Sequence, residues 1–261
     1  MFGRRVLVLV PHPDDEVVGA ATAIERLVAR GGEAYAAYLT TGVPPRAGRW
    51  FGNESTYGRA VETRWQEATR VQEALGLQCA MRRSVPSRSL KSELASAFDD
   101  LVHTAERLSI DRIWTPAYEG GHQDHDVSNF LAAQVGARLA DRLRVFEFAE
   151  YNFAEGRAQS QCFPEPTGRE TLLKLDVDAR ERKRRLLSTY ASERRNLGAV
   201  RFEREVFRPL ADYDYDRPPH ASPLFYQRFH WIPRHPRIDY CTPEEVCDAL
   251  AHFRASTDAL A

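Results

Sequence analysis

Lysine is scarce in this 261-residue chain: Lys91, Lys174 and Lys183 stand within a total of 36 basic residues, so positive charge is almost all arginine. The arginines are interleaved with acids and the net charge is -1, which excludes the one-sided basic field of a nucleic-acid-binding surface. Even the densest basic run, ARERKRRLL at 179–187, reads as the solvated face of a helix rather than a phosphate patch. Cysteine is sparse as well. Cys79, Cys162, Cys241 and Cys247 contain no Cys-x-x-Cys spacing, so neither a zinc knuckle nor a dithiol redox motif is indicated. No apolar run reaches the length of a membrane span. The one after Arg4-Arg5 lasts only from Val6 to Val10 before acids begin, unlike a secretory leader. The expectation is a cytoplasmic protein without a membrane span.

What is present is ordinary globular material. Hydrophobic residues make up 43% and charged residues 28%, enough apolar mass to form a core and to exclude global disorder. Strand-like stretches at 5–10, 33–40, 78–85, 111–116, 144–151 and 171–177 alternate with helical periodicity. The helices fall at about 16–30, 60–75, 89–107, 126–142 and 179–193. Such alternation predicts an α/β fold: a Rossmann-like, mostly parallel sheet with helices on both faces. Residues 1–195, over which the alternation holds, are read as the main domain. Residues 196–261, rich in proline and aromatics, are read as an irregular extension packed on that domain, closed by a helix whose start is signalled by Thr242-Pro243-Glu244-Glu245.

Chemistry concentrates at two strand ends. His12-Pro13-Asp14-Asp15-Glu16 follows the first strand, and Gly120-Gly121-His122-Gln123-Asp124-His125-Asp126 follows the strand at 111–116. Either alone could be a helix start decorated with acids, which the helix dipole favours. In a parallel sheet, however, ligands bind beyond the carboxyl ends of strands, and two such ends bring histidines and carboxylates together. Two histidines with one carboxylate form the three-ligand set of a catalytic zinc, and a further carboxylate that does not ligate is then needed as a base.

The strand followed by PHPDDE, the LTTG closing the second strand, the Arg64-x-x-Glu67 helix ending at Leu75-Gly76, and GGHQDH together resemble the PIG-L/LmbE-like N-deacetylase family. The resemblance runs from the N-terminus to about residue 195 and implies that 1–195 is an LmbE-like catalytic domain. It implies His12, Asp15 and His125 as ligands of zinc, or of another divalent metal such as Fe2+, with Asp14 as general base and His122 as the group that stabilises the oxyanion. Asp124, lying between two histidines, is expected to orient His122. The implied reaction is hydrolysis of an acetamide on an N-acetylhexosamine conjugate. Asp14 takes a proton from the attacking water and returns it to the departing amine, releasing acetate.

Some positions depart from the family pattern. Gln123 replaces a proline, Ser84 or Ser87 stands where sugar-binding relatives often have an aspartate, and Ser192-Glu193 replaces a Ser-Gln pair. Arg64 fits a substrate-contacting arginine, with an i,i+3 pair to Glu67 as the alternative. Tyr118 is a candidate beside the oxyanion, at a shifted spacing from His122. Arg49 and Trp50, in the turn-rich segment 41–56, suit stacking on a sugar or aglycone, or equally a contact between like subunits of a homo-oligomer. Three competing readings remain: an amidase for a larger N-acyl group, a non-haem iron oxygenase using a two-histidine, one-carboxylate site, and a metal-bearing sugar-binding module without activity.

Overall fold

The computed structural model describes residues 1–45, 54–198, 200–232 and 238–258. It opens with β1 (Arg5–Val10), α1 (Asp15–Ala29), β2 (Glu33–Tyr38), α2 (Glu54–Leu75), β3 (Leu77–Arg82), α3 (Leu94–Arg107), β4 (Arg112–Pro116), α4 (Gln123–Arg138) and β5 (Arg144–Phe148). There follow β6 (Tyr151–Asn152), β7 (Gln159–Ser160), β8 (Thr171–Lys174), α5 (Val177–Thr189), α6 (Arg194–Leu197), β9 (Arg204–Pro209) and α7 (Pro243–Asp258).

Seven strands form one sheet in the order β3-β2-β1-β4-β5-β9-β8, parallel from β3 through β5 and antiparallel at β9 and β8. β1 shows why both faces are covered. Its alternate residues go to different cores: Leu7 and Leu9 pack with Leu101, Phe130, Val135 and Leu250, whereas Val6, Val8 and Val10 pack with Ile24, Val71, Trp114 and Phe207. A strand apolar on both sides is the mark of a buried parallel sheet. Helices α3, α4 and α7 therefore cover one face and α1, α2 and α5 the other.

β1 leads to β2 on one side, while β4 and β5 extend the sheet on the other. The order reverses between β1 and β4, which are direct neighbours with Val8 opposite Trp114. That reversal opens a crevice at the carboxyl ends of the two strands. Both chemistry-bearing segments start there.

Beyond residue 195 the chain does more than wrap: β9 enters the main sheet and α7 packs on α3 and α4. The expected capping box is formed, with Glu245 N–H donating to Thr242 Oγ1 at 3.2 Å and Thr242 N–H to Glu245 Oε2 at 3.2 Å. Among the described residues no helix is long and apolar enough to cross a membrane.

Candidate active site

Asp15 and Glu16 start α1 immediately after β1, and His125 lies in the first turn of α4 after β4. Three donor atoms from these segments meet at one point. His12 Nδ1 and His125 Nε2 are 3.2 Å apart, and each is 3.3 Å from Asp15 Oδ2. Ligand atoms held 2.0–2.1 Å from a tetrahedral centre are separated by about 3.3–3.4 Å. The three atoms thus form one triangular face of a zinc-sized tetrahedron, and the residues fit the metal that the motifs imply. The local field agrees. Burial opposes an imidazolium, yet the charges and hydrogen bonds of Asp15 and Asp124 raise His12 to about 10. Burial likewise opposes the Asp15 carboxylate, but His125 and His12 hold it below the usual carboxylate range. Positive charge is strongly favoured between these atoms.

His12 is held from behind. Its Nε2 lies 2.9 Å from Asp124 Oδ2, and a proton shared there leaves Nδ1 as the lone pair facing the cluster. The fully buried Asp124 carboxylate also accepts from the amides of Arg88 at 2.6 Å and Leu90 at 3.3 Å. Sequence spacing suggests Asp124 as the partner of His122. The structure gives it to His12 instead, because Asp124 Oδ2 stands 3.7 Å from His122 Nδ1. That nitrogen accepts from the Asp124 amide at 3.1 Å, making His122 the N-cap of α4. With Nδ1 accepting, the His122 proton resides on Nε2. Burial and the neighbouring His12 hold the ring well below its usual pKa, so His122 is a neutral hydrogen-bond donor.

Asp14 is outside the clustered donors but beside them. Its φ of 145° and ψ of -25° lie in territory that favours glycine, a strain of about 1–3 kcal/mol. Several groups hold it there. Glu16, fully buried, accepts from the Asp14 amide at 3.1 Å through Oε2 and from the Tyr190 hydroxyl through Oε1. Arg64 Nη1 donates to the Pro13 carbonyl at 3.0 Å and lies 3.5 Å from Asp14 Oδ2. Gly42, at φ +67°, makes that approach possible: a Cβ there would sit 2.9 Å from Pro13 Cδ and 3.0 Å from Arg64 Nη1. Burial and the charge of Asp15 push Asp14 well above the usual carboxylate range, and Arg64 works against them.

The family model for PIG-L, described as GlcNAc-PI de-N-acetylase, matches residues 7–135, which include both clusters. Residues 7–135 are a PIG-L domain. Solved structures agree on the fold at low identity. The deacetylase of the A40926 pseudoaglycone superposes with a TM-score of 0.58 at 17% identity, covering 80% of this chain and 99% of the other. A teicoplanin-biosynthesis deacetylase in complex with teicoplanin gives 0.61 at 16% identity, with the same coverage of 80% and 99%. The 4-carboxy-2-hydroxymuconate hydratase of Pseudomonas putida gives 0.53 at 18%, covering 81% and 97%. No curated protein matches the sequence.

In this chain several expected contacts are rearranged. Arg64 does not pair with Glu67. It donates through Nε to Ser192 Oγ at 3.2 Å and pairs with Glu193, while Glu67 accepts from the Ser192 amide at 3.0 Å. Being only 3% exposed, Arg64 reaches the site through Asp14 rather than as an open substrate contact. Tyr118 is turned away. Extended backbone alternates faces, so Ala117 packs toward Ala149 and Tyr118 toward Tyr213 and Tyr215, with its hydroxyl donated to the Arg217 carbonyl at 2.7 Å. Arg49 and Trp50 lie outside the described residues.

Glu150 and Tyr151, just past β5, have no role in the sequence reading, yet both border the cluster. The Tyr151 ring sits 5.6 Å from that of His125 and 4.9 Å from Phe225. Gly121 permits this, since a Cβ there would lie 2.4 Å from the Tyr151 carbonyl. The strand-end rule that finds the first two clusters, applied to the third neighbouring strand, would have found these two.

Glu193 draws on the same guanidinium that faces Asp14, and its charge helps to raise Asp14. Glu193→Gln is therefore expected to lower the Asp14 pKa. With Asp14 as the general base that the motifs imply, and a base working only when ionised, the acidic limb of the kcat/KM profile should move to lower pH. An unmoved limb in a folded, metal-loaded variant would show that Asp14 does not set it.

Proposed function

We propose that this protein is a zinc-dependent N-deacetylase that hydrolyses the acetamide of an N-acetylhexosamine conjugate to acetate and a free amine. The observation that carries the reading is the tetrahedral face made by His12, Asp15 and His125, with a second carboxylate, Asp14, beside it and not among the donors. A structural metal site has no use for that extra group. A divalent cation held by the three donors supplies Lewis-acid polarisation of the amide carbonyl and brings the pKa of water to near neutrality.

The chain's own groups do the rest. Asp14, with its raised pKa, takes the proton of the attacking water and delivers it to the amine nitrogen as the C–N bond breaks. His122 donates from Nε2 to the carbonyl oxygen as it gains charge, the contribution of a preorganised oxyanion donor. Asp124 keeps the His12 proton on Nε2. Tyr151, its ring 5.6 Å from that of His125 and backed by Phe225, walls the side on which the sugar or its aglycone rests.

The fold alone does not choose this chemistry, since a hydratase shares it. The named activities of the glycopeptide-related neighbours and the family match support amide cleavage. The test is acetate release from a panel of N-acetylglucosamine conjugates by zinc-loaded protein, with N-acyl chains of increasing length included. Acetate production identifies the bond cleaved and ranks the aglycones. No carboxylate product from any member by metal-loaded protein would sink the proposal.

A further inference from the structure

Three polar atoms on the far side of His125 are left without partners. His125 Nδ1 and both carboxylate oxygens of Glu150 are buried and make no hydrogen bond, although Nδ1 and Glu150 Oε2 stand only 3.6 Å apart. The two side chains are 1% and 0% exposed, so bulk water does not serve them. A buried, unsatisfied carboxylate facing an unsatisfied ring nitrogen is costly unless the two serve each other.

The backbone around Glu150 fixes this arrangement. Its amide donates to Glu119 Oε1 at 2.7 Å, and its carbonyl accepts from Gln161 at 2.9 Å. The neighbouring Tyr151 amide also donates to Glu119 Oε1, at 3.1 Å. Glu150 is thus presented to one edge of the imidazole, while the opposite edge, Nε2, faces His12 and Asp15. Glu150 is also absent from the clustered donor sets, and its recorded contact with them is to the His125 ring.

We infer that Glu150 is the positioning residue of His125: its carboxylate accepts the Nδ1 proton and so leaves Nε2 as the lone pair aimed at the cation. The two histidines are then fixed alike, His12 by Asp124 and His125 by Glu150, each through the nitrogen remote from the cluster. The role in metal binding rests on the reading given under Proposed function; the tautomer does not.

The experiment uses the full chain with Glu150→Leu and Glu150→Gln. In metal-free native protein, nitrogen NMR of the imidazoles is expected to show His125 protonated on Nδ1. Glu150→Gln, whose amide oxygen still accepts, should keep that tautomer, and Glu150→Leu should give a mixture. Zinc affinity, read by competition with a chromophoric chelator, should fall about 10- to 100-fold in Glu150→Leu and largely recover in Glu150→Gln. A role limited to packing would change the unfolding temperature but leave the tautomer alone. A native His125 protonated on Nε2, or a folded Glu150→Leu with native zinc affinity, overturns the inference. If Glu150→Leu does not fold, the native tautomer and Glu150→Gln still decide it. Native protein that binds no divalent cation would overturn the metal reading instead, leaving the tautomer to judge Glu150.

Discussion

Asp14→Asn is expected to lower turnover by about 100- to 10,000-fold, the usual worth of a general base, in protein that still takes up its cation. The three clustered donors do not include Asp14, so the metal should be retained. Asparagine is nearly isosteric, its side-chain oxygen can still face Arg64, and the amide bond to Glu16 is untouched. What the substitution removes is the ability to accept a proton. Acetate release, metal stoichiometry and thermal unfolding are the three readouts. Near-native turnover by metal-loaded Asp14→Asn would exclude Asp14 as the base. A companion change separates chemistry from strain. Asp14→Gly relieves a backbone at φ 145° and removes a buried charge beside Asp15, so it is expected to be equally inactive yet more stable than the native protein, by about 1–3 kcal/mol. Lost turnover together with gained stability would show that the strain is kept for the reaction.

The two clusters were legible because they follow the ends of strands that turn out to be neighbours, and because a parallel sheet has a switch point where its order reverses. Nothing local told which carboxylate would serve which histidine. Asp124 reaches His12, more than a hundred residues away, because β1 and β4 lie side by side. Tyr118 was misplaced for the same reason in reverse: its distance from His122 along the chain says nothing about which face of the extended segment it occupies. β9 was hidden by its own composition. Glu205 and Arg208 are 1% and 3% exposed, so the alternation that reveals a strand is broken by buried charge. Their partners, Lys183 and Glu147, come from other elements. LTTG, read only as part of the family resemblance, and Arg64, read as a substrate contact or a partner of Glu67, converge on Asp14 through Gly42 and Arg64, a connection only the packed structure displays.

Lys183→Met is expected to destabilise the protein by about 3–5 kcal/mol, the cost of leaving one member of a buried ion pair alone. Lys183 Nζ is 2.7 Å from Glu205 Oε1 and donates to the Val18 carbonyl at 2.8 Å, and both side chains are essentially inaccessible. The Glu205 carboxylate accepts from the amides of Thr22 at 2.9 Å and Ala23 at 3.0 Å. An ion pair from α5 and β9 is thus set against the backbone of α1 near its middle, at groups that a helix ordinarily satisfies within itself. Removing the ammonium strands a carboxylate in the core, whereas Lys183→Met combined with Glu205→Gln removes both charges and should recover part of the loss. Urea unfolding of the singles and the double measures the coupling. Additive losses, or a Lys183→Met cost below about 1 kcal/mol, would mean that the pair is solvated or uncoupled. The consequence reaches the site because α1 begins at Asp15, with Asp14 as its N-cap. Loosening the middle of that helix frees the two carboxylates from the geometry on which the proposed cation binding and proton transfer depend. Lys183→Met should therefore weaken zinc binding in the fraction that still folds, although Lys183 lies among none of the donor atoms.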